Sequence, residues 1–94
     1  MFDARQLESG GYSFSGRLDA SQTDKADLVL KSITKSTILD LQDLDYISSA
    51  GLGILLACQK RLKSSGNGLT LKNLNNYIKD IFKFTGFDKI FEIQ

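Results

Sequence analysis

Apolar positions along this chain fall into short runs separated by stripes at helical spacing. Thr37-Ile38-Leu39-Asp40-Leu41 is short, apolar and partly β-branched. It shows little two-residue alternation, the pattern of a strand covered on both faces in a parallel sheet. After it, Leu52, Leu55, Leu56 and Leu62 recur on one side of a helix, with Cys58 beside them. Gln59, Lys60, Arg61 and Lys63 take the other side. The pattern predicts a helix that starts near Ser49, gathers cations in its last turns where the dipole favours them, and ends at Gly66 as its C′ residue.

Upstream, Phe2 to Glu8 and Tyr12 to Ser15 read as the two strands of a β-hairpin turned by Ser9-Gly10-Gly11. Tyr12 and Phe14 face one way and Ser13 and Ser15 the other. Ala26, Val29, Leu30 and Ile33 predict a helix over roughly Ser21 to Ser32. Asp24 and Asp27 lie early in it and Lys31 late, as the dipole prefers; Lys25 runs against that order and reads as solvated. Asn67-Gly68 turns the chain into a fourth strand, Leu69-Thr70-Leu71. Asn75 or Asn76 caps a third helix that carries Ile78, Ile81 and Phe82 inward and ends near Thr85-Gly86, with Phe87 folding back. Ile90-Phe91-Glu92-Ile93 reads as a short final strand. Strands separated by helices after an initial hairpin imply an α/β fold. The expected architecture is a mixed sheet with a parallel core, right-handed crossovers, an N-terminal β-hairpin and about three helices. The length of 94 residues suits one domain spanning the chain.

Composition removes most enzyme classes. There is no histidine, so neither a Ser-His-Asp triad nor a Cys-His pair forms within the chain. With Cys58 the single cysteine, a structural zinc site is not expected, and the thiol reads as core packing in a reducing cytosol. Gly51-Leu52-Gly53 lacks the third glycine of a dinucleotide fingerprint, and no Gly-Lys-Ser/Thr follows a glycine loop. Asp40, Asp43 and Asp45 read as a solvated loop ahead of a Mg²⁺ site. Formal net charge is +1, and the lysines are spread out, so neither nucleic acid nor an anionic membrane is an expected partner. No apolar run reaches membrane-spanning length and the N-terminus lacks a signal-peptide core, so the expected location is the cytoplasm. No cofactor and no catalytic residue are expected.

What chemistry remains sits at the strand–helix joint, Tyr46-Ile47-Ser48-Ser49-Ala50-Gly51-Leu52-Gly53. A serine at a helix N-terminus caps free backbone N–H groups. A phosphate on such a serine would meet the same N–H groups and the positive end of the dipole. Residue types alone leave both readings open for Ser48 and Ser49. Two glycines in a first turn are costly, and make sense where another backbone comes close or the turn needs unusual angles. Asp19, after Gly16-Arg17-Leu18, reads as the cap of the next helix, with Gln22 as its capping-box partner.

This joint resembles the signature of the STAS-domain anti-anti-sigma factors, the bacterial anti-sigma factor antagonists. Their pattern is an aromatic-aliphatic pair followed by Asp-Ser-Ser/Thr-Gly-Leu-Gly. Tyr46-Ile47 matches the pair, and Ser49, Gly51, Leu52 and Gly53 match position by position. Ser48 stands where the family has Asp, and Ala50 where it has Ser or Thr. Gly16-Arg17-Leu18-Asp19 is similar to the family's Gly-x-Leu-Asp turn, and Phe84 to Phe91 to its closing segment. The resemblance implies phosphorylation at Ser49, with Ser48 as competing acceptor, and an acidic surface at Asp19 beside the phosphorylation loop. It implies that Asp19 and Ser48 to Gly53, Ala50 included, meet a partner. That partner would be an anti-sigma factor of the GHKL serine-kinase type, bound by the unmodified, otherwise monomeric protein so that a sigma factor is freed. A PP2C-type phosphatase would reverse the modification. Two alternatives stand beside this switch: a non-phosphorylated STAS scaffold, and a ligand- or nucleotide-binding subunit of a larger regulatory assembly.

Overall fold

The longest strand, β3 (Thr37–Ile47), is the centre of a five-stranded sheet in the order β1-β2-β3-β4-β5. The computed structural model describes residues 1–94. β1 (Phe2–Gln6) and β2 (Tyr12–Leu18) form the expected antiparallel hairpin. β2 then pairs parallel with β3, β3 with β4 (Leu69–Lys72), and β4 with β5 (Glu92–Ile93). The connecting helices are α1 (Thr23–Lys31), α2 (Ser49–Lys63) and α3 (Asn76–Thr85). The mixed sheet, parallel core, hairpin and three helices agree with the expectation.

One expectation about β3 does not hold. Each parallel step moves the chain in the same direction across the sheet, and right-handed crossovers then put all three helices on one face. Leu39, Leu41, Leu44 and Ile47 are buried under them, whereas Ile38 is 41% exposed and Gln42, Asp43 and Asp45 face solvent. The strand is covered on one face only. Asp40 to Asp45 is not a loop either: it is strand, with its carboxylates on the open face. From Ser13 to Ser15 β2 advances two residues while its partner advances three, from Asp40 to Asp43. From Gly16 to Arg17 it advances one while β3 advances two, from Leu44 to Tyr46. These two bulges break the alternation and return Leu44 and Ile47 to the core.

β2 also runs further than expected, through Gly16-Arg17-Leu18. Gly16 takes φ 86° inside the strand, and a Cβ there would lie 1.9 Å from the Met1 carbonyl oxygen. Only glycine fits that approach. The next helix begins with a 3-10 turn, Ala20–Gln22. Asp19 caps that turn through Ser21, whose N–H and hydroxyl donate to Oδ1 at 3.0 and 2.6 Å. Gln22 makes no capping-box bond. Lys25 is not simply solvated: Nζ donates to the Phe2 carbonyl at 2.9 Å and lies 3.7 Å from Asp3.

The core is a single cluster of 20 buried residues. α2 contributes Leu52, Leu55, Cys58 and Leu62 as expected, but Leu56 is only half-buried, and Gln59, expected on the polar side, is 1% exposed. Burial pushes the Cys58 thiol up from its ordinary pKa, against the opposing pull of Arg61. Arg61 donates to the Leu30 and Ile33 carbonyls at 2.9 and 2.8 Å, tying α2 to the end of α1. Gly66 (φ 81°) ends α2, with Asn67 N–H donating to the Leu62 carbonyl at 2.8 Å. Asn75 caps α3 through the Ile78 N–H at 2.8 Å, and Gly86 (φ 77°) ends it. Phe87 folds back edge-on to Phe82, as expected. β5 is shorter than expected, because Phe87–Lys89 is a 3-10 turn and Phe91 is buried against Phe82.

Candidate functional site

The joint between β3 and α2 lies at the C-terminal edge of the parallel strands, where open α/β sheets place their sites. The Ser48 N–H donates to the Leu18 carbonyl at 2.9 Å, pinning the joint to the end of β2. Ser48 is the N-cap, with extended backbone, and its Oγ accepts the Gly51 N–H at 3.1 Å. Ser49 is the first helical residue; it is exposed, and its hydroxyl has no hydrogen-bond partner in the chain. The structure therefore divides the serines, which residue types alone left equivalent: Ser48 is occupied by capping and Ser49 is free. The N–H groups of Ser49 and Ala50 have no acceptor in the chain, as at any helix start.

The glycines divide as well. A Cβ on Gly51 would lie 2.9 Å from Ile47 Cγ1 and 3.0 Å from Leu18 Cγ, so glycine there lets α2 settle onto the ends of β2 and β3. A Cβ on Gly53 would meet nothing within 4 Å, and Gly53 is exposed in ordinary helical backbone. Neither reason offered for a first-turn glycine applies to it within the chain. Leu52 is 8% exposed and packs into the core; Ala50 is exposed.

Asp19 follows Leu18 and so lies beside Ser48, at the neighbouring strand end. The Ser21 hydroxyl bond holds its carboxyl below the ordinary aspartate range, with further help from the Ser21 N–H, the N-terminal amine and Arg17. Asp19 is thus ionised at neutral pH. Asp40 Oδ1 accepts from Gln42 N–H at 3.0 Å and Asn73 Nδ2 at 3.2 Å. No three His, Cys, Asp or Glu side chains converge anywhere. A cleft of about 410 Å³, lined by Asn76, Lys79, Asp80, Lys83, Asp88 and Ile93, lies along α3, and no residue of α2 lines it.

Sequence reasoning did not single out what neighbours the joint. Arg17 pairs with Tyr46 across β2 and β3, its guanidinium 4.3 Å from the ring centroid. Tyr77 stacks on Tyr46 with centroids 6.3 Å apart and planes 18° from parallel. Tyr46 was visible only as half of the aromatic-aliphatic pair; its partners depend on strand register and on where α3 begins.

The family described as STAS domain matches residues 7–94 of this chain. A putative anti-sigma factor antagonist of Bordetella bronchiseptica, BtrV, is 36% identical over 74 residues, which cover 79% of this chain and 58% of that protein. The anti-sigma-B factor antagonist of Bacillus subtilis is 36% identical over 54 residues, covering 57% of this chain and 50% of its own length. The chain thus spans little more than half the length of these curated relatives. Among solved structures, the anti-sigma factor antagonist SpoIIAA in its unphosphorylated form superposes with a TM-score of 0.77 at 17% identity, over 100% of this chain and 88% of that one. At that identity the likeness concerns the fold. No helix is long and apolar enough to cross a membrane.

Proposed function

The chain belongs to the STAS domain family, and on that premise we propose that it is an anti-sigma factor antagonist, a cytoplasmic binding module and not an enzyme. In its unmodified form it binds an anti-sigma factor of the GHKL serine-kinase type and so releases a sigma factor. Phosphorylation of Ser49 by that kinase ends the binding, and a PP2C-type phosphatase restores it. The observation that carries this reading is the free, exposed hydroxyl of Ser49 beside a Ser48 already engaged as the cap. A kinase can reach the one without undoing the helix start that depends on the other.

Local physics supports a switch without rearrangement. A phosphate on Ser49 would carry roughly −1.5 to −2 charges at neutral pH. At the first helical position it would sit among free N–H groups and the positive end of the dipole, so the fold tolerates it. A partner covering the same surface would have to desolvate that charge beside the ionised Asp19. A cost of about 1.4 kcal/mol already lowers affinity tenfold.

A second reading, a STAS scaffold that is never phosphorylated, is favoured by Ser48 and Ala50, which depart from the family's acceptor motif. A pull-down from lysate of the source organism with wild type, Ser49→Asp and Ser49→Ala separates the two. The switch reading expects a serine kinase held by wild type and by Ser49→Ala and lost from Ser49→Asp. Equal retention on all three baits would refute it in favour of the scaffold.

A further inference from the structure

The Arg17–Tyr46–Tyr77 stack is not part of the core. Tyr46 is half-buried and Tyr77 is 48% exposed, in a chain that buries Phe2, Phe14 and Phe82 completely. β2 and β4 flank β3, so Arg17 reaches Tyr46 from one side and Tyr77, in the first turn after β4, from the other. Three elements thus hold an aromatic surface in place while leaving much of it in water. It continues along α3. Phe84, seven residues after Tyr77, is 88% exposed, and seven residues are close to two turns, so both rings share one side of the helix. Ile78 and Phe82 mark the core-facing side. A rigid aromatic surface of this kind marks a contact site.

Charge indicates what would cover it. The only cation in the stack, Arg17, already lies on Tyr46. Asp45, exposed on β3 directly before Tyr46, takes no part in either of the chain's ion pairs, Lys25–Asp3 and Lys31–Asp27, whereas Asp43 lies on the hairpin side and lines a cleft with Asp3 and Arg5. The unpaired charge beside Tyr46 is therefore negative, while the exposed Lys83 flanks Phe84 at the other end of the surface. An arginine suits both features: its planar guanidinium stacks on an aromatic ring and reaches a carboxylate with the same group. Tyr46 is three residues before Ser49, so this surface runs directly into the switch joint.

We propose that the Tyr46–Tyr77 stack, extended by Phe84, is a docking surface for the same protein partner that meets the start of α2, and that this partner presents an arginine to Tyr77 and Asp45. The proposal rests on the switch reading for the partner's identity, but not for the surface itself. An aromatic anchor of this type carries a disproportionate share of binding energy.

The test uses the serine kinase retained by wild type in the pull-down, titrated calorimetrically against wild type, Ser49→Asp, Tyr77→Ala, Phe84→Ser and Asp45→Asn. Tyr77 and Phe84 are exposed, and circular dichroism melts check that each variant stays folded. Tyr77→Ala is expected to weaken binding at least tenfold, Phe84→Ser and Asp45→Asn several-fold, and added salt should narrow the gap between wild type and Asp45→Asn. Loss with Ser49→Asp but wild-type affinity for Tyr77→Ala and Phe84→Ser would overturn the docking surface and leave the switch standing. Loss with Tyr77→Ala but not Ser49→Asp would do the reverse. Sedimentation of the chain alone completes the test: a dimer abolished by Phe84→Ser would mean that a second copy covers the surface, and would also overturn the proposal.

Discussion

Ser48 Oγ accepts the Gly51 N–H at 3.1 Å, and that bond separates the roles of two adjacent serines. Removing an N-cap side chain costs about 1 kcal/mol. Ser48→Ala is therefore expected to lower the unfolding free energy by about that amount in urea titrations. Ser49→Ala, which removes a free hydroxyl, should leave the midpoint unchanged within about 0.5 kcal/mol. Equal losses would mean that the two serines share the cap.

Gln59 ties α2 to the start of β4 and to the segment that leads into β5. Its Oε1 accepts the Leu69 N–H at 2.6 Å and its Nε2 donates to the Ile90 carbonyl at 2.8 Å. Gln59→Leu keeps the volume approximately but leaves both backbone groups without their partner. The Leu69 N–H is buried, whereas the Ile90 carbonyl is only partly so, and one unsatisfied buried group costs about 1–3 kcal/mol, so a loss of at least about 1 kcal/mol is expected in denaturant titrations. Hydrogen exchange should quicken first at Leu69 and in β5.

The two glycines of α2 should respond in opposite directions. Gly53→Ala adds a methyl group where nothing lies within 4 Å and should stabilise the isolated chain by about 1 kcal/mol. Gly51→Ala forces the same group against Ile47 and Leu18, and overpacking of that kind costs about 1–3 kcal/mol, more than the helix gain returns. Thermal melts of the two variants check the sign of each.

Much of this molecule was legible because its signals are local. Asn75, Gly86 and Phe87 are cap chemistry confined to a few residues, and all three do what their types imply. The hairpin and the three apolar helix faces are of the same kind. The second half of β3 was not legible, since three aspartates in six residues read as a loop unless the open sheet face and the two bulges are known. Gln59, Lys25 and Arg61 looked solvated on their own helices; their partners lie about 10 to 31 residues away in sequence. At the site, the motif located the joint, but only the position of the helix start separates Ser48 from Ser49.

Asp19 gives a pH signature. Its folded pKa lies below the ordinary value of 3.8, so the folded chain binds its proton less readily than the unfolded chain does. Its contribution to stability is present above that ordinary value and is lost as pH falls through the lower folded value. Asp19→Asn keeps an oxygen to accept from Ser21 but cannot titrate. The stability difference between wild type and this variant should be constant above about pH 5 and shrink on acidification below pH 4, followed by urea midpoints. A difference that is flat down to pH 2 would show that the carboxylate charge plays no part in the cap.

The switch itself is tested most directly by finding where phosphate goes. Wild-type protein is incubated with ATP and the serine kinase that the proposed switch expects the pull-down to recover, and the product is fragmented in a mass spectrometer able to separate Ser48 from Ser49. The free hydroxyl of Ser49 predicts a single phosphate on Ser49, absent from Ser49→Ala and present on Ser48→Ala. Phosphate on Ser48, or a bound kinase that leaves the chain unmodified, would contradict it.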